Sequence, residues 1–446
     1  MSSRPSLTAA LLPLALLGCA PKAAPPAPPS GPTAAESAAQ MAACAYTPGL
    51  PASKTVPAGL PTGDAIPIKH IVLLMQENRS FDHYYSELNI PGLDVAPANA
   101  SNPDANGNPV TRFHLTTQCM GGGNHSWDAE HHNLDNGKND GFVTESGTTT
   151  MGYYTEADLP YYYALSRTFA ISDAHFCSVL GPTWPNRMYF MAGTSFGIAV
   201  GTVEPPAYDA QGNSTKTLFS ELDEAGVDWR DYSQDLPTVL IVPNTFEPDH
   251  LRPESQFATD VANGDLAAVT MVEASDLQGP LSPDEGPPGD VGIGQQFISN
   301  IIGTIMKSQF WDDTVIFLTY DENGGMWDHV VPPAACPPDD LAPIMNASTV
   351  AGGATTPGLF NQLGFRVPFI VISPYARRGY LSHVVTDHTS ILRFVEAKFN
   401  LPAMTKRDAN ALPPYDMFDF DHPDFSIPDL PVATVDQDQL YQCEQH

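Results

Sequence analysis

Three compact apolar runs stand out along the chain: residues 68–76 (IKHIVLLMQ), 314–320 (TVIFLTY) and 367–372 (VPFIVI). Each is short, rich in β-branched residues and free of polar alternation. That pattern predicts strands buried on both faces. Between them the hydrophobic spacing changes to a helical period. Residues 156–169 place Tyr162, Leu165 and Phe169 on one helical face, and 188–195 continue as a helix after the turn SVLGPTWPNR at 178–187. Residues 216–225 form an amphipathic helix stopped by Gly226, and 295–307 and 390–399 complete the set. Residues 91–125 are rich in Asn, Pro and Gly and read as a long loop. No internal repeat is present. Buried strands separated by helices imply an α/β protein with a mostly parallel central sheet flanked by helices.

Composition sharpens this picture. The 446 residues include 20 Lys and Arg against 51 Asp and Glu, a net charge of −31, with 42% hydrophobic residues. That apolar fraction supports a sizeable core and excludes a wholly disordered chain. The acidity argues against nucleic acid as a partner, because no basic surface offsets phosphate repulsion. With 44 Pro and 34 Gly, long ordered loops are expected rather than a helical bundle.

The first residues carry an address. Residues 1–19 have Arg4, a short apolar run at 11–17 and then Leu16-Leu17-Gly18-Cys19, which resembles a bacterial lipobox. The expectation is a signal peptide, lipidation of Cys19, export, and a tether to the cell envelope membrane, periplasmic or at the surface. Residues 20–65 read as an Ala/Pro-rich linker outside the fold, which leaves 66–446 as one domain. Beyond Cys19 five cysteines remain, so at least one thiol is free; Cys44 and Cys443 are placed to staple the ends of the globular part.

The chemistry concentrates at strand ends. Glu77 and Asn78 follow the first strand, and Asp321 and Glu322 follow the second. In open α/β sheets, ligands bind beyond the carboxyl ends of the strands. Three carboxylates converging there need a cation, and oxygen donors suit Mg²⁺, Ca²⁺ or Mn²⁺, with Zn²⁺ and Fe as further choices. An isolated acid would more often solvate a loop; two clusters after two buried strands raise the metal reading. In Gly181-Pro182-Thr183-Trp184-Pro185-Asn186-Arg187, the motif alone favours Thr183 as a helix cap, whereas a neighbouring metal site favours it as a nucleophile on phosphorus. Histidines at 125, 131, 329 and 388 could bond or protonate a phosphoryl oxygen.

Five segments in order, IVLLMQENRSFDHYY, NHSWDAEHHNLDNGKNDGF, GPTWPNRMY, TYDENGGMWDHVVPP and DHTSILRFVEAKFNL with RDANA, resemble the bacterial phospholipase C and acid phosphatase phosphoesterases of the alkaline-phosphatase-like superfamily. The resemblance covers about 67–420 and implies metal-assisted hydrolysis through a phospho-threonine. Carried over by position, it implies Glu77, Asn78, Thr183, Asp321 and Glu322 as the metal site. Thr183 would be the nucleophile, and His125, His131, Asp140 and His329 the surrounding polar shell. One departure stands out: Gly286 occupies the histidine position of the family's Glu-His-Pro-Pro. The closing motif lies near the end of the sequence, so the C-terminal β-domains of longer phosphocholine-specific members are not expected, and phospholipid specificity does not follow from the resemblance. The expected activity is a phospholipase C-type phosphodiesterase. The alternatives are an acid-phosphatase-type monoesterase acting on small phosphate esters and, supported only by Gly286, a non-catalytic binding lipoprotein. The acidic surface makes a zwitterionic lipid or soluble ester an easier partner than an anionic membrane.

Overall fold

The computed structural model describes residues 1, 32–201, 216–243, 248–275, 279–345 and 354–444. The lipobox and the first part of the expected linker lie outside them. Eight strands make one sheet: β1 (His70–Gln76), β2 (Ala170–Ser172), β3 (Trp229–Ser233), β4 (Leu251–Pro253), β5 (Val269–Glu273), β6 (Thr314–Tyr320), β7 (Phe369–Ile372) and β8 (Leu381–Ser382). Their spatial order is β8-β2-β7-β6-β1-β5-β3-β4. Seven strands run in one direction, and β7 is antiparallel to both neighbours. The mostly parallel sheet flanked by helices is the architecture expected from the sequence.

The three apolar runs become β1, β6 and β7, central strands buried along nearly their whole length. Burial on both faces explains their unbroken hydrophobicity. β1 and β6 pair in parallel, with Gln76 opposite Tyr320 as the last partners. The next residue on each strand is therefore Glu77 and Asp321, and the Asp321 N–H donates to the Gln76 carbonyl at 3.0 Å. Strand register alone brings the two acidic ends together.

The helix expected over 188–195 begins five residues earlier, as Thr183–Ala192. Pro185 is tolerated because it sits in the first turn, where an N–H has no intrahelical acceptor. Gly193, with φ +69°, ends the helix in the left-handed conformation. This helix packs against His388–Phe399, whose Phe394 ring meets Phe317 of β6 edge-on at 5.2 Å. The expected loop at 91–125 holds one short hairpin, Ser101–Pro103 with Pro109–Thr111. Among the described residues no helix is long and apolar enough to cross a membrane.

Two expectations are corrected. Residues 32–65 are not a detached linker: they belong to the same compact unit as the sheet. A capped helix, Ala34–Ala42, buries Ser37 and Met41, and the Ser37 hydroxyl accepts from the Val385 N–H at 2.8 Å. Alanine and proline composition hid two buried anchors spaced one helical turn apart. The cysteine pairs are Cys44–Cys336 and Cys119–Cys443, not Cys44–Cys443, while buried Cys177 is the free thiol among the described residues. Each bridge closes a loop of about three hundred residues. We expect Cys44→Ser to lower unfolding stability by about 2–4 kcal/mol in urea melts under oxidising conditions. A truncation to residue 57 should do at least as much, where a true linker would cost nothing.

Candidate active site

The site starts from the β1 and β6 ends. Asn78 adopts φ +66°, a conformation that Asn tolerates better than most side chains. That turn aims its N–H at Asp321 Oδ1 (3.0 Å) and its side-chain amide at Glu77 Oε2 (3.0 Å). Asp321 Oδ1 also accepts from the Glu322 N–H at 2.7 Å. Gly324 permits the close crossing, since a Cβ there would lie 2.5 Å from the Asn78 carbonyl oxygen. Behind the turn, Arg79 N–H donates to the Glu322 carbonyl at 3.0 Å.

Thr183 reaches this cluster from the other side. Asn186 holds the preceding turn through Val179, Gly181 and Pro182, all in range of its side-chain amide. Thr183 is the first helical residue and makes no cap; its hydroxyl donates to Glu322 Oε1 at 3.3 Å. The capping alternative is therefore corrected: the backbone role falls to Pro182. One helical turn on, Arg187 bridges the two strand ends, with Nη2 to Glu77 Oε1 at 3.2 Å and Nε to Asp321 Oδ2 at 3.3 Å. The sequence motif contained Arg187, and its i+4 spacing from Thr183 was the signal that placed both on one helix face.

Electrostatics define what else the site wants. Glu77, Asp321 and Glu322 are buried around a single guanidinium. Burial, then the charges of Asp321 and Glu77, hold the Glu322 carboxyl well above the usual range. Among the described residues, Glu322 Oε2 and Asn78 Oδ1 are buried oxygens without a hydrogen-bond partner. Surplus negative charge together with orphaned oxygens is a donor set that fits a hard divalent cation. His125 Nδ1 bonds the Gly123 carbonyl (2.9 Å) and Nε2 lies 3.6 Å from Glu322 Oε1. Burial draws its pKa below the ordinary imidazole value. Its loop is seated by Gly123 and Gly325, where a Cβ on Gly123 would lie 2.8 Å from the Gly325 carbonyl oxygen.

The remaining shell residues sit elsewhere. His131 bonds the Trp127 carbonyl of its own helix at 2.7 Å and stacks near the Trp127 ring. Asp140 lines a separate cavity of about 300 Å³ with His132, Asp135 and Glu145. His329 lies between Asp82 (2.7 Å) and Asp94 (3.1 Å). Asp82, Asp328 and His329 approach within 4.8 Å of one another, a spacing that could hold a metal. Fully buried Arg366 already supplies the cation there, with two bonds to Asp328 and one to Asp82. That group is a structural ion network. Gly286 abuts Glu77: a Cβ would lie 2.6 Å from Glu77 Oε2. In this chain a side chain at that position would displace the carboxylate.

A mostly parallel sheet with an oxygen-rich, acid-lined site and a hydroxyl at its edge fits a phosphate-ester hydrolase. The model of the Phosphoesterase family matches residues 68–402, and the chain belongs to that family. Phospholipase C B of Mycobacterium tuberculosis is 34% identical over 406 residues, covering 78% of this chain and 76% of its own. Non-specific phospholipase C6 of Arabidopsis thaliana is 30% identical over 377 residues, 77% and 70% of the two chains. Hemolytic phospholipase C of Pseudomonas aeruginosa, 30% identical over 396 residues, is matched over 76% of this chain and 54% of its own. A solved protein in the alkaline phosphatase superfamily from Vibrio parahaemolyticus aligns over 84% of this chain and 77% of its own at 11% identity and TM-score 0.40.

Two groups near the site set a pH dependence of stability. Burial pushes the carboxyl of Glu130, packed under Asn323 and Gly325, up to about 8. Asp82 and Asp94 overcome burial to push His329 up to about 10. Both bind a proton more tightly folded than unfolded. Their contribution is complete below the unfolded values, about 4.5 and 6.5, and is lost as pH rises toward 8 and 10. Thermal melts should therefore fall steadily from pH 6 to 10, and Glu130→Gln should flatten the part between 6 and 8. Separately, Arg187→Met should cost about 3–5 kcal/mol without added divalent ion, and less with it, in calorimetric melts.

Proposed function

We propose that this protein is a phospholipase C-type phosphodiesterase that works through a phospho-threonine at Thr183. The observation that carries the reading is the Thr183 hydroxyl bonded to Glu322 Oε1, while Glu322 Oε2 and Asn78 Oδ1 have no hydrogen-bond partner among the described residues. The relatives named phospholipase C, at 30–34% identity, support the diester substrate class.

Glu77, Asn78, Thr183, Asp321 and Glu322 would hold a divalent cation, which when bound supplies charge neutralisation and a lowered hydroxyl pKa at Thr183. Glu322 Oε1 orients the Thr183 hydroxyl, and the rigid turn held by Asn186 fixes its angle of approach. Thr183 Oγ forms a bond to phosphorus as the bond to the diacylglycerol oxygen breaks. His125 has Nδ1–H committed to Gly123, which leaves Nε2 as the atom that takes the Thr183 proton and returns it to the departing diacylglycerol oxygen. Water then cleaves the Thr183–phosphorus bond and releases the phosphorylated head group, regenerating the hydroxyl. Arg187, tied to Glu77 and Asp321, keeps both limbs in place through the two steps.

We also propose export with lipid attachment at Cys19, as the first residues suggest. Two disulfides support an oxidising compartment. Loss of membrane fractionation in Cys19→Ala tests this.

The activity test compares p-nitrophenyl phosphorylcholine with p-nitrophenyl phosphate, across divalent ions, using the chain without residues 1–19. Cleavage of the phosphorylcholine ester, reduced at least about a thousandfold in Thr183→Ala, is expected. Cleavage of the monoester alone would move the assignment to a phosphatase, and equal rates in parent and variant would remove Thr183 from the mechanism.

A further inference from the structure

Beneath the site lies a buried acid that the mechanism does not use. Glu285 is fully buried and adopts φ +72°. Its carboxylate accepts hydrogen bonds from the hydroxyls of Tyr84, Tyr162 and Tyr320, the last at 2.7 Å. Space for it is cut into the helix Val291–Met306 at Gly294, where a Cβ would lie 2.0 Å from Glu285 Cγ. A glycine inside a helix costs about 1 kcal/mol relative to alanine, so the fold gives up helix stability to admit this carboxylate.

The partners explain the expense. Tyr320 is the residue before Asp321 on β6. Tyr84 lies in the short helix Phe81–Tyr85 that follows Asn78. Arg79, next to Asn78, donates through Nε to the Glu285 carbonyl at 3.0 Å. The turn containing Glu285 also grips β1 directly: the Asp284 carbonyl accepts from the Glu77 N–H at 2.8 Å, and the Pro283 carbonyl from the Gln76 side chain at 2.8 Å. Gly286 then lies against the Glu77 carboxylate. Glu285 thus bonds to both limbs that end in the acidic pairs, whereas Tyr162 belongs to the helix Pro160–Thr168, outside either limb.

We propose that Glu285 is a positioning residue: through Tyr84, Tyr320 and Arg79 it fixes the separation between the Glu77–Asn78 and Asp321–Glu322 limbs. The proposal rests on the phosphoesterase reading of those limbs. Its physical logic is that three directional hydrogen bonds to one buried carboxyl tie the elements carrying them together. A buried carboxyl shared by three phenols is therefore a stiffer strut than apolar packing.

The test uses Glu285→Gln and Gly294→Ala, the second ejecting Glu285 from a different element while favouring the helix. Both should lower kcat about 10–100-fold, the usual cost of losing support behind a metal-binding set, with KM within about twofold. Mn²⁺ binding, titrated with the metal alone, should weaken by a similar factor. Hydrogen exchange should quicken at the amides of Asn78, Arg79 and Glu322 while the outer strands keep their rates. Tyr320→Phe should share these effects, and Tyr162→Phe should not. If the variants only lower the melting temperature, with kcat, Mn²⁺ affinity and local exchange of the folded protein unchanged, Glu285 is structural and the proposal is overturned. Should Glu285→Gln fail to fold, Tyr320→Phe and Gly294→Ala decide by the same readouts. Loss of activity in Thr183→Ala with the parent active isolates this inference from the reading beneath it. A parent inactive on every ester would sink that reading, and exchange at the two limbs would still decide the strut.

Discussion

Three carboxylates from two adjacent parallel strands are buried against one arginine. Glu77, Asp321 and Glu322 repel each other at close range, and Arg187 offsets only part of their charge. Buried like charges are costly unless something compensates them. Much of the surrounding structure serves that arrangement. Backbone N–H groups of Asn78 and Glu322 solvate Asp321, the Asn78 amide solvates Glu77, and the Thr183 hydroxyl solvates one oxygen of Glu322. Among the described residues Asn78 Oδ1 and Glu322 Oε2 are left without a hydrogen-bond partner, a donor pair that fits the proposed cation.

The same logic distinguishes the two acidic centres of the molecule. Around Arg366 the carboxylates of Asp82 and Asp328 find a guanidinium with well-formed bonds, and His329 is held protonated between Asp82 and Asp94. That network closes on itself and joins the segment after β1 to the segment after β6. The centre at Thr183 stays open because its charges do not balance. Acidic residues therefore sit in two settings a few positions apart in sequence: Asp321 and Glu322 in the candidate site beside Thr183, and Asp328 in the ion network that secures the loop following them.

Rigidity around the open centre comes from features with little hydrophobic content. Glycines at 123, 324 and 325 let three loops cross at backbone contact, and Gly286 lets a fourth lie on Glu77. The disulfide Cys119–Cys443 attaches the chain's last helix to the segment that leads into the His125 loop. Under the proposed mechanism this stiffness matters, because small displacements of reacting atoms cost large factors in rate.

Much of this was legible in the chain. Strands β1, β6 and β7 are buried on both faces, so their apolar runs announced them, and the polar residues directly after β1 and β6 marked the candidate site that the fold brings together. Thr183 was visible from its Gly/Pro-framed turn. Local sequence could not assign His329 and Asp140, because a histidine or aspartate beside a motif looks the same whether it faces the site or an ion network behind it. Nor could it find Glu285, whose importance lies in phenols contributed from residues 84, 162 and 320, or pair Cys44 with Cys336 across 292 residues. Composition misled at 32–65, where the buried Ser37, Met41, Ala52 and Thr55 outweigh many exposed alanines and prolines. The sequence by itself determined which segments must be buried and which chemistry stands at their ends, since both follow from local pattern. Tertiary structure alone decided which charges meet, because that depends on strand order and register between segments hundreds of residues apart.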